Sequence, residues 1–327
     1  MRQGPSRPVT LFSLGARGMP VATACGHDDE VLAAHIREAS ELIRSKAART
    51  RGVAPAARVT LSCRVPYRID ISCPPHDALD QLVQLGALDI EPVNDGLAAI
   101  IPDGVTPDAV AGALGVASVA VSPAVGRDHG SVWLLRPRAV RIGSVLVAPL
   151  GVAAPPDALR LTDSTVFGTG HHPTTALCVE ALEEALTTAV PDSVLDVGTG
   201  SGVLALTALM MGVSRAVGLD IDADALKVAA EHARLNNLAD RLQLVLGGPD
   251  VVDGAWPLVV ANVLAAPLIE MAPVLVRRVG CRGRLILSGI PWSLESEVRQ
   301  TYQRLGMPHI RSETRAGWTV LVAQPSW

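Results

Sequence analysis

The sequence predicts an α/β fold in which an open, mostly parallel, doubly wound sheet follows a smaller α+β unit. Over residues 174–323, short apolar segments typical of strands alternate with segments of helical periodicity. This alternation indicates a parallel sheet with helices on both faces. Over residues 68–122, the segments follow the order β-α-β-β-α-β of a ferredoxin-like unit. The length of 327 residues is sufficient for two such domains.

The N-terminal 65 residues form an extension to these two units. Residues 1–27 are rich in Gly, Pro, Ser and Arg without a hydrophobic period, which predicts a flexible segment. Their short apolar patch faintly resembles an export signal, but Arg17 and Pro20 interrupt it. Residues 28–48 carry apolar residues at helical spacing and predict an amphipathic helix. We interpret this helix as a packing element, with docking to a partner as the alternative.

The composition argues against several classes of function. The net charge of −4 provides no broad basic surface, which argues against nucleic acid as the main partner. The longest uncharged run, residues 109–126, is rich in Gly, Ala and Ser and contains Pro123, so it is a poor candidate for a membrane span. The five cysteines form no C-x-x-C pair, which argues against a disulfide framework or structural zinc. We therefore expect a cytoplasmic protein with reduced thiols.

The smaller unit contains four predicted strands and two helices. In chain order, its segments are strand Arg68–Ser72, helix Pro75–Gly86, strands Leu88–Glu91 and Leu97–Ile101, helix Thr106–Leu114 and strand Val116–Val121. The two middle strands are joined across Asn94-Asp95-Gly96, which is the chemistry of a hairpin turn. We assign this domain to residues 66–125. Residues 126–160 are strand-like with proline breaks, and we expect a connector there.

The larger domain, residues 161–327, contains seven predicted strands and the helices between them. Its helices are predicted at 174–189, 201–211, 222–236, 264–279 and 292–305, and its strands at 193–197, 215–219, 242–246, 257–261, 283–288, 308–313 and 317–323. In an open sheet of this kind, ligands bind outside the carboxyl ends of the strands. The residues that follow each strand are therefore the candidates for a functional site.

A glycine-rich turn follows the first strand of this domain. The strand contains Asp196, and the glycines are Gly198, Gly200 and Gly202. Glycines allow a tight turn and let a ligand approach the backbone closely. A nicotinamide-binding turn reads G-x-G-x-x-G, but Val203 occupies the place of its third glycine. The form D-x-G-x-G-x-G instead resembles the first motif of Rossmann-like methyltransferases.

Polar residues also end the second and fourth strands. Asp220 lies 18 residues after Gly202, where an acidic residue accepts hydrogen bonds from ribose hydroxyls. Asp222 is expected to cap the following helix. Asn262 follows the apolar strand at 257–261, and its side chain offers both an acceptor and donors. A lone Asn in this position is more often a cap, but beside the other two motifs we interpret it as a ligand contact.

The segment Phe167-Gly-Thr-Gly-His-His-Pro-Thr-Thr175 precedes the first helix of the larger domain. Its adjacent histidines, His171 and His172, suggest a metal site at first sight. Neighbouring residues rarely point at one ion, however, and no Cys or carboxylate lies nearby at ligand spacing. We therefore expect no metal and interpret the segment as a polar lid over a ligand. Either histidine could relay a proton through water, although ordering the loop or contacting the substrate is the alternative role.

Five motifs together identify a family. The motifs F-G-T-G-x-H-P-T-T, D-V-G-T-G-S-G, G-L-D-I-D, V-V-A-N-V-L-A and L-S-G-I occur in this order. The chain resembles the PrmA family, lysine methyltransferases that modify large-subunit ribosomal protein eleven. The resemblance covers residues 68–325 and is strongest over 160–290. It implies a class I methyltransferase fold and a ferredoxin-like domain that recognises the substrate.

The resemblance also implies a cofactor and its site. The cofactor is S-adenosylmethionine, and the residues around it are Thr169, Gly170, Asp196, Gly198, Gly200, Gly202, Asp220, Ile221 and Asn262. The expected activity is N-methylation of amino groups of a protein, either lysine or the N-terminal amine of a ribosomal protein. The enzyme mainly positions the amine for in-line attack. The expected catalytic residues are Asn262, whose Oδ1 orients the amine, and His171 and His172.

Four departures from the family pattern leave the acceptor open. His171 replaces the usual Thr, Pro257 replaces the usual Asp, Val147–Gly151 replaces a Trp-containing segment, and residues 1–65 are additional. One alternative function is a methyltransferase of peptides or small metabolites, including natural products, on the same scaffold. Another is a non-catalytic module that binds S-adenosylmethionine, although the intact motifs argue against it.

Overall fold

The computed structural model describes residues 65–93, 96–164 and 166–327. The helix expected at 28–48 and most of the N-terminal extension lie outside the described residues. Asn94 and Asp95 of the expected hairpin turn lie outside them as well. The two flanking strands pair antiparallel as far as Val93 and Gly96, as a hairpin requires.

The smaller unit is a four-stranded antiparallel sheet. Its elements are β1 (Tyr67–Ser72), α1 (Ala78–Gln84), β2 (Asp89–Val93), β3 (Gly96–Ile101), α2 (Pro107–Leu114) and β4 (Ala120–Pro123). The strand order β2-β3-β1-β4 is that of a ferredoxin-like fold, as the sequence predicts. Thr106 caps α2 through its side-chain oxygen. β4 begins later than predicted because Gly115 and Val116 still close the C-terminus of α2.

The segment expected to be a connector contains five short strands. They are β5 (Gly126–Arg127), β6 (Val132–Trp133), β7 (Val140–Ile142), β8 (Val145–Pro149) and β9 (Leu159–Leu161). The last three form a sheet of their own, in the order β7-β8-β9. Its buried side chains, among them Ile142, Val147 and Leu159, belong to a core of the larger domain. The sheet β7-β8-β9 therefore packs against the larger domain and contributes to its core.

The larger domain is a doubly wound, seven-stranded sheet. Its elements are α3 (Pro173–Thr188), β10 (Ser193–Val197), α4 (Val203–Met210), β11 (Arg215–Asp220), α5 (Ala223–Leu235), β12 (Leu242–Leu246), β13 (Trp256–Asn262), α6 (Ala265–Arg277), β14 (Val279–Pro291), α7 (Glu295–Arg304), β15 (His309–Arg315) and β16 (Trp318–Gln324). The strand order is β12-β11-β10-β13-β14-β16-β15, and β16 is antiparallel to both of its neighbours. This is the Rossmann-like sheet of class I methyltransferases.

Two apolar cores cover the two faces of this sheet. One contains buried residues of α3 and α4, and the other contains buried residues of α6 and α7. Successive residues of β10 alternate between them, with Val194 in the first core and Leu195 in the second. Because β10 is buried on both faces, its carboxyl end is the natural place for a turn that carries a ligand. No helix in the described part of the chain is long and apolar enough to cross a membrane.

Candidate cofactor and acceptor site

The glycine turn between β10 and α4 is confined by close contacts. Gly198, Gly200 and Gly202 all have positive φ, at 72°, 53° and 80°. A Cβ on Gly198 would lie 2.3 Å from Val263 Cγ1, and one on Gly200 would lie 2.8 Å from the carbonyl oxygen of Phe167. Both positions therefore need glycine for conformation and for space. The turn lies at the carboxyl edge of the sheet, where its residues are buried or half-buried.

Asp196 lies beneath this turn and is fully buried. Its Oδ2 accepts hydrogen bonds from Thr199 Oγ1 at 2.7 Å and from the Ala205 N–H at 3.2 Å, which ties the turn to the first turn of α4. Within the described residues, its Oδ1 has no hydrogen-bond partner. Burial raises the pKa of Asp196 to about 7, although the hydrogen bonds from Thr199 and Ala205 oppose that shift. Asp196 therefore supports the turn from below, and its role in binding the cofactor remains a prediction.

Asp220 closes β11 directly beside the glycine turn. Its Oδ2 accepts a hydrogen bond from the Gly200 N–H at 2.9 Å, and its Oδ1 accepts one from the Asp222 N–H at 3.0 Å. A carboxylate oxygen has two lone pairs, so each oxygen can accept one further hydrogen bond. Asp222 caps α5, as predicted, by accepting from the Asp224 N–H. The carboxylate of Asp220 is thus held at the site with acceptor capacity left for a ribose.

Two exposed apolar side chains lie at the ends of neighbouring strands. Ile221 follows Asp220 and is 84% exposed, and Leu246 ends β12 and is 57% exposed. Asp220 and Leu246 are partners in the parallel register, so the two apolar side chains share one edge of the sheet. The sequence predicted Ile221 as a cofactor contact but not Leu246. The glycines at 247 and 248 directly after β12 could have pointed to the end of this strand. Such an apolar patch suits the aromatic base of a nucleoside.

Asn262 ends β13 with its amide oxygen unpaired. Oδ1 is buried, and no described residue donates a hydrogen bond to it. Buried polar atoms are almost always hydrogen-bonded, so this acceptor suits a donor supplied by a bound molecule. Together with the acceptor capacity of Asp220, this unpaired oxygen makes the residues present a fit for S-adenosylmethionine.

The segment interpreted as a lid, residues 167–175, is held from two sides. Asp128 accepts three hydrogen bonds from it: from the N–H of Gly168, from the N–H of Thr169 and from Thr169 Oγ1. On the other side, Ser201 in the glycine turn donates its Oγ hydrogen bond to the Gly168 carbonyl at 2.9 Å. A Cβ on Gly170 would lie 3.0 Å from Val140 Cγ1, so this glycine packs closely on β7. Sequence reasoning missed Asp128 altogether.

The two histidines of the lid have different surroundings. His171 Nε2 lies 3.0 Å from the carbonyl oxygen of Arg138. A carbonyl only accepts, so Nε2 carries the proton and Nδ1 is the basic nitrogen of the neutral ring. Burial lowers the pKa of His171, which favours this neutral form. Nδ1 is thus the ring nitrogen left to accept a proton, and burial makes it a weaker base than a free imidazole.

His172 is buried and caps α3. Its Nδ1 accepts from the Thr174 N–H at 3.3 Å and lies 2.7 Å from Thr174 Oγ1. Its ring makes edge contacts with Phe167 and Trp318, each at a centroid distance of 5.1 Å. These contacts order the start of α3 and the lid. Among the described residues, no group of three or more His, Cys, Asp or Glu could hold a metal ion.

His232 is a further buried histidine that sequence reasoning missed. It lies on α5, where its Nδ1 is 2.7 Å from the Ser201 carbonyl oxygen and its Nε2 accepts from the Thr162 N–H at 2.9 Å. The carbonyl fixes the proton on Nδ1, which leaves Nε2 as the acceptor. The neutral ring therefore links α5, the glycine turn and the strand that leads into the lid.

The stability of the fold should fall in mild acid because of His232. Burial lowers its pKa in the folded protein, so the unfolded chain takes up the proton first as the pH falls. The contribution of the neutral ring is complete above the unfolded pKa of about 6.5 and is lost as the pH falls through the lower folded value. We would measure urea unfolding between about pH 8 and about pH 5 for the wild type and for His232→Gln. An equal pH dependence in both proteins would contradict the assignment, because other titrating groups are common to both.

The family of the chain follows from comparison with known proteins. Residues 132–326 match the profile of the family described as ribosomal protein L11 methyltransferase (PrmA). The chain belongs to the PrmA family. It is therefore an S-adenosylmethionine-dependent methyltransferase of class I, as the motifs predicted.

Individual members of the family show the extent of the similarity. The ribosomal protein L11 methyltransferase of Pelobacter propionicus is 34% identical over 210 residues, which cover 62% of this chain and 68% of that protein. The protein of the same name from Nitrosomonas europaea is 41% identical over 201 residues, which cover 57% of this chain and 63% of that protein. The chain thus spans about two thirds of the length of these relatives.

A solved structure from the family has the same fold. The crystal structure of a ribosomal protein L11 methylase from Lactobacillus delbrueckii subsp. bulgaricus superimposes with a TM-score of 0.54 at 27% identity. It covers 58% of this chain and all of that chain.

Asp220→Ala should weaken the binding of S-adenosylmethionine about 10- to 100-fold, because hydrogen bonds to a charged group contribute about 1.5–3 kcal/mol. Calorimetric titration measures this change. Asp222→Ala is the matched control, because Asp222 is the next acid on the same loop but its side chain caps α5. That variant should keep the affinity of the wild type. An unchanged dissociation constant for Asp220→Ala would leave Asp220 with a structural role alone.

Proposed function

We propose that this protein methylates amino groups of a protein, and that its acceptor is ribosomal protein L11. The observation that carries the proposal is the buried, unpaired Oδ1 of Asn262 at the carboxyl end of β13. An amide oxygen in this position accepts an N–H of an amine and thereby orients its lone pair. The names of the relatives support the choice of acceptor, because each describes a ribosomal protein L11 methyltransferase.

The residues that would hold the cofactor lie at the ends of three strands. Asp220 would accept hydrogen bonds from the ribose hydroxyls, and Ile221 and Leu246 would pack on the base. The glycine turn would let the rest of the molecule lie against the backbone. S-adenosylmethionine supplies an activated methyl group on a sulfonium, so the protein has to position the acceptor rather than activate the methyl group.

The acceptor amine has to lose its proton before it can attack. A free lysine has a pKa of about 10.4, and partial burial lowers it by disfavouring the charged form. Asn262 Oδ1 would then hold one N–H of the neutral amine. His171 Nδ1 is the candidate to take up the released proton through water, because its Nε2 is occupied by the Arg138 carbonyl. His172 would keep the lid and the start of α3 in place.

The smaller domain would supply the recognition of the acceptor. We assign residues 66–125 to recognition, 126–160 to the connection between the domains, whose sheet β7-β8-β9 packs on the larger domain, and 161–327 to methyl transfer, with 1–65 as an extension. The described motif residues for the cofactor all follow residue 160, which leaves the ferredoxin-like sheet free for the acceptor. Because a ribosomal protein is the proposed acceptor, we place the reaction in the cytoplasm, with no membrane and no nucleic acid as a main partner.

The proposal is tested by incubating the purified protein with methyl-labelled cofactor and ribosomal protein L11 of the same organism. Mass spectrometry of the digested product should locate added methyl groups on lysine side chains or on the N-terminal amine. A parallel reaction with short peptides and small amines tests the alternative acceptors. Labelling of the small acceptors alone would contradict the proposed substrate. Cofactor binding without any transfer would point to a binding module.

A further inference from the structure

One carboxylate of the smaller domain is buried against the segment that leads into the larger domain. Asp89, at the start of β2, is only 2% exposed. It accepts hydrogen bonds from the Leu135 N–H at 2.9 Å and from both terminal nitrogens of Arg138, at 2.9 and 3.0 Å. Glu91, on the same face of the sheet, accepts from Arg138 at 3.2 Å. A planar guanidinium between two carboxylates has little freedom to turn.

Arg138 contacts both domains at once. Its side chain binds Asp89 and Glu91 of the smaller sheet, and its backbone carbonyl accepts the hydrogen bond from His171 Nε2 in the lid. Holding the guanidinium therefore restrains the backbone of the same residue, including this carbonyl. Because the carbonyl selects which ring nitrogen carries the proton, a change in its position changes the tautomer of His171.

The geometry points to Asp89 as a positioning residue for methyl transfer. We propose that Asp89 fixes Arg138, and that the Arg138 carbonyl then holds His171 with its proton on Nε2 and its basic nitrogen at Nδ1. Through these contacts, the smaller domain determines which ring nitrogen of His171 carries the proton. The role in turnover rests on the proposed function of His171, whereas the tautomer itself can be measured in the free protein.

Separate anchors hold the rest of the lid when Asp89 is lost. Asp128 binds Gly168 and Thr169, and Ser201 binds the Gly168 carbonyl. These contacts do not involve Arg138. Loss of Asp89 should therefore affect His171 and turnover more than it affects the glycine turn and cofactor binding.

The test compares Arg138→Gln and the double variant Asp89→Asn/Arg138→Gln with the wild type. The double variant removes the charges of Asp89 and Arg138 together, and Glu91 keeps its ion pair with Arg136 at 2.7 Å, so no buried carboxylate is left without a partner. Asp70→Asn is the matched control, because it breaks an ion pair with Arg68 on the same sheet whose two side chains are 36% and 39% exposed. Long-range proton–nitrogen NMR of histidine-labelled protein reports the tautomer of His171, whose signal is assigned by its loss in His171→Gln.

The wild type and Asp70→Asn should show the tautomer with the proton on Nε2. Either Arg138 variant should show a mixture of tautomers, and kcat with the methyl acceptor should fall about 10- to 100-fold, as a misplaced catalytic group implies. Affinity for S-adenosylmethionine should stay close to that of the wild type. An unchanged tautomer in a folded variant would overturn the proposal. Loss of folding in both variants would also overturn it, because Asp89 would then serve stability alone. If the wild type does not methylate ribosomal protein L11, the tautomer of His171 in the free protein still tests whether Asp89 and Arg138 determine its protonation.

Discussion

Asp128→Ala should lower the free energy of unfolding, disorder the segment that we interpret as a lid, and weaken the binding of S-adenosylmethionine. The Asp128 carboxylate is 1% exposed and accepts hydrogen bonds from two backbone N–H groups and one hydroxyl of the lid. Its removal leaves the N–H groups of Gly168 and Thr169 without an acceptor. Each unsatisfied buried donor costs about 1–3 kcal/mol, so we expect the two to cost about 2–6 kcal/mol.

The backbone at Asp128 adds to this effect. Asp128 and His129 both have positive φ, at 49° and 54°. Aspartate tolerates this left-handed conformation better than alanine, because its short polar side chain can form local hydrogen bonds. The variant therefore loses its hydrogen bonds to the lid and gains strain in the turn between β5 and β6.

Urea unfolding and calorimetric titration with S-adenosylmethionine measure the two consequences of Asp128→Ala. Asp224→Ala is the control, because among the described residues the side chain of this exposed aspartate pairs with Lys227 and not with the lid. That variant should match the wild type in both measurements. If Asp128→Ala were as stable as the wild type and bound the cofactor equally well, Asp128 would not be an anchor of the lid.

Much of the fold was predictable because short-range patterns of apolar, polar and glycine residues indicate its strands and helices. The strands at 193–197 and 242–246 have the predicted bounds, since mostly apolar residues form each strand and a glycine follows it. β14 is longer than predicted, at Val279–Pro291 instead of 283–288. Its two ends pair with different neighbours, Val279 with Trp256 and Pro291 with Trp318. Pairing between distant segments extended this strand, and no local pattern shows such pairing.

The residues of the candidate site also divide into those that local sequence patterns predict and those that only the folded chain brings together. The positions of Asp220 and Asn262 at the ends of two parallel strands were predictable from the apolar residues before them, because such strand ends meet at one edge, while their roles in binding stay predictions. Asp128 acts across 41 residues on Thr169, and the carbonyl of Arg138 acts across 33 residues on His171. An aspartate in a turn and a backbone carbonyl have no distinguishing sequence pattern. Only the folded chain brings them to the lid.

Asn262→Ala should reduce kcat/KM for the protein acceptor by about 100-fold, because the amine loses the acceptor that orients it for attack. The loss should fall mainly on kcat, since Asn262 Oδ1 is proposed to hold the reacting amine, whereas Asp220 and the glycine turn would hold most of the cofactor. Steady-state kinetics with ribosomal protein L11 and calorimetry with S-adenosylmethionine separate the two effects.

Asn262→Asp distinguishes the role of the acceptor oxygen Oδ1 from the role of the side chain's shape at the end of β13. Aspartate keeps an acceptor oxygen in nearly the same place, whereas alanine removes it. If Oδ1 orients the amine, kcat should decrease in the order Asn262, Asn262→Asp, Asn262→Ala. If Asn262 only shapes the end of β13, the aspartate and alanine variants should lose activity in proportion to their loss of stability. Equal activity of Asn262→Ala and the wild type would remove Asn262 from the mechanism, and with it the observation on which the proposed amine site depends.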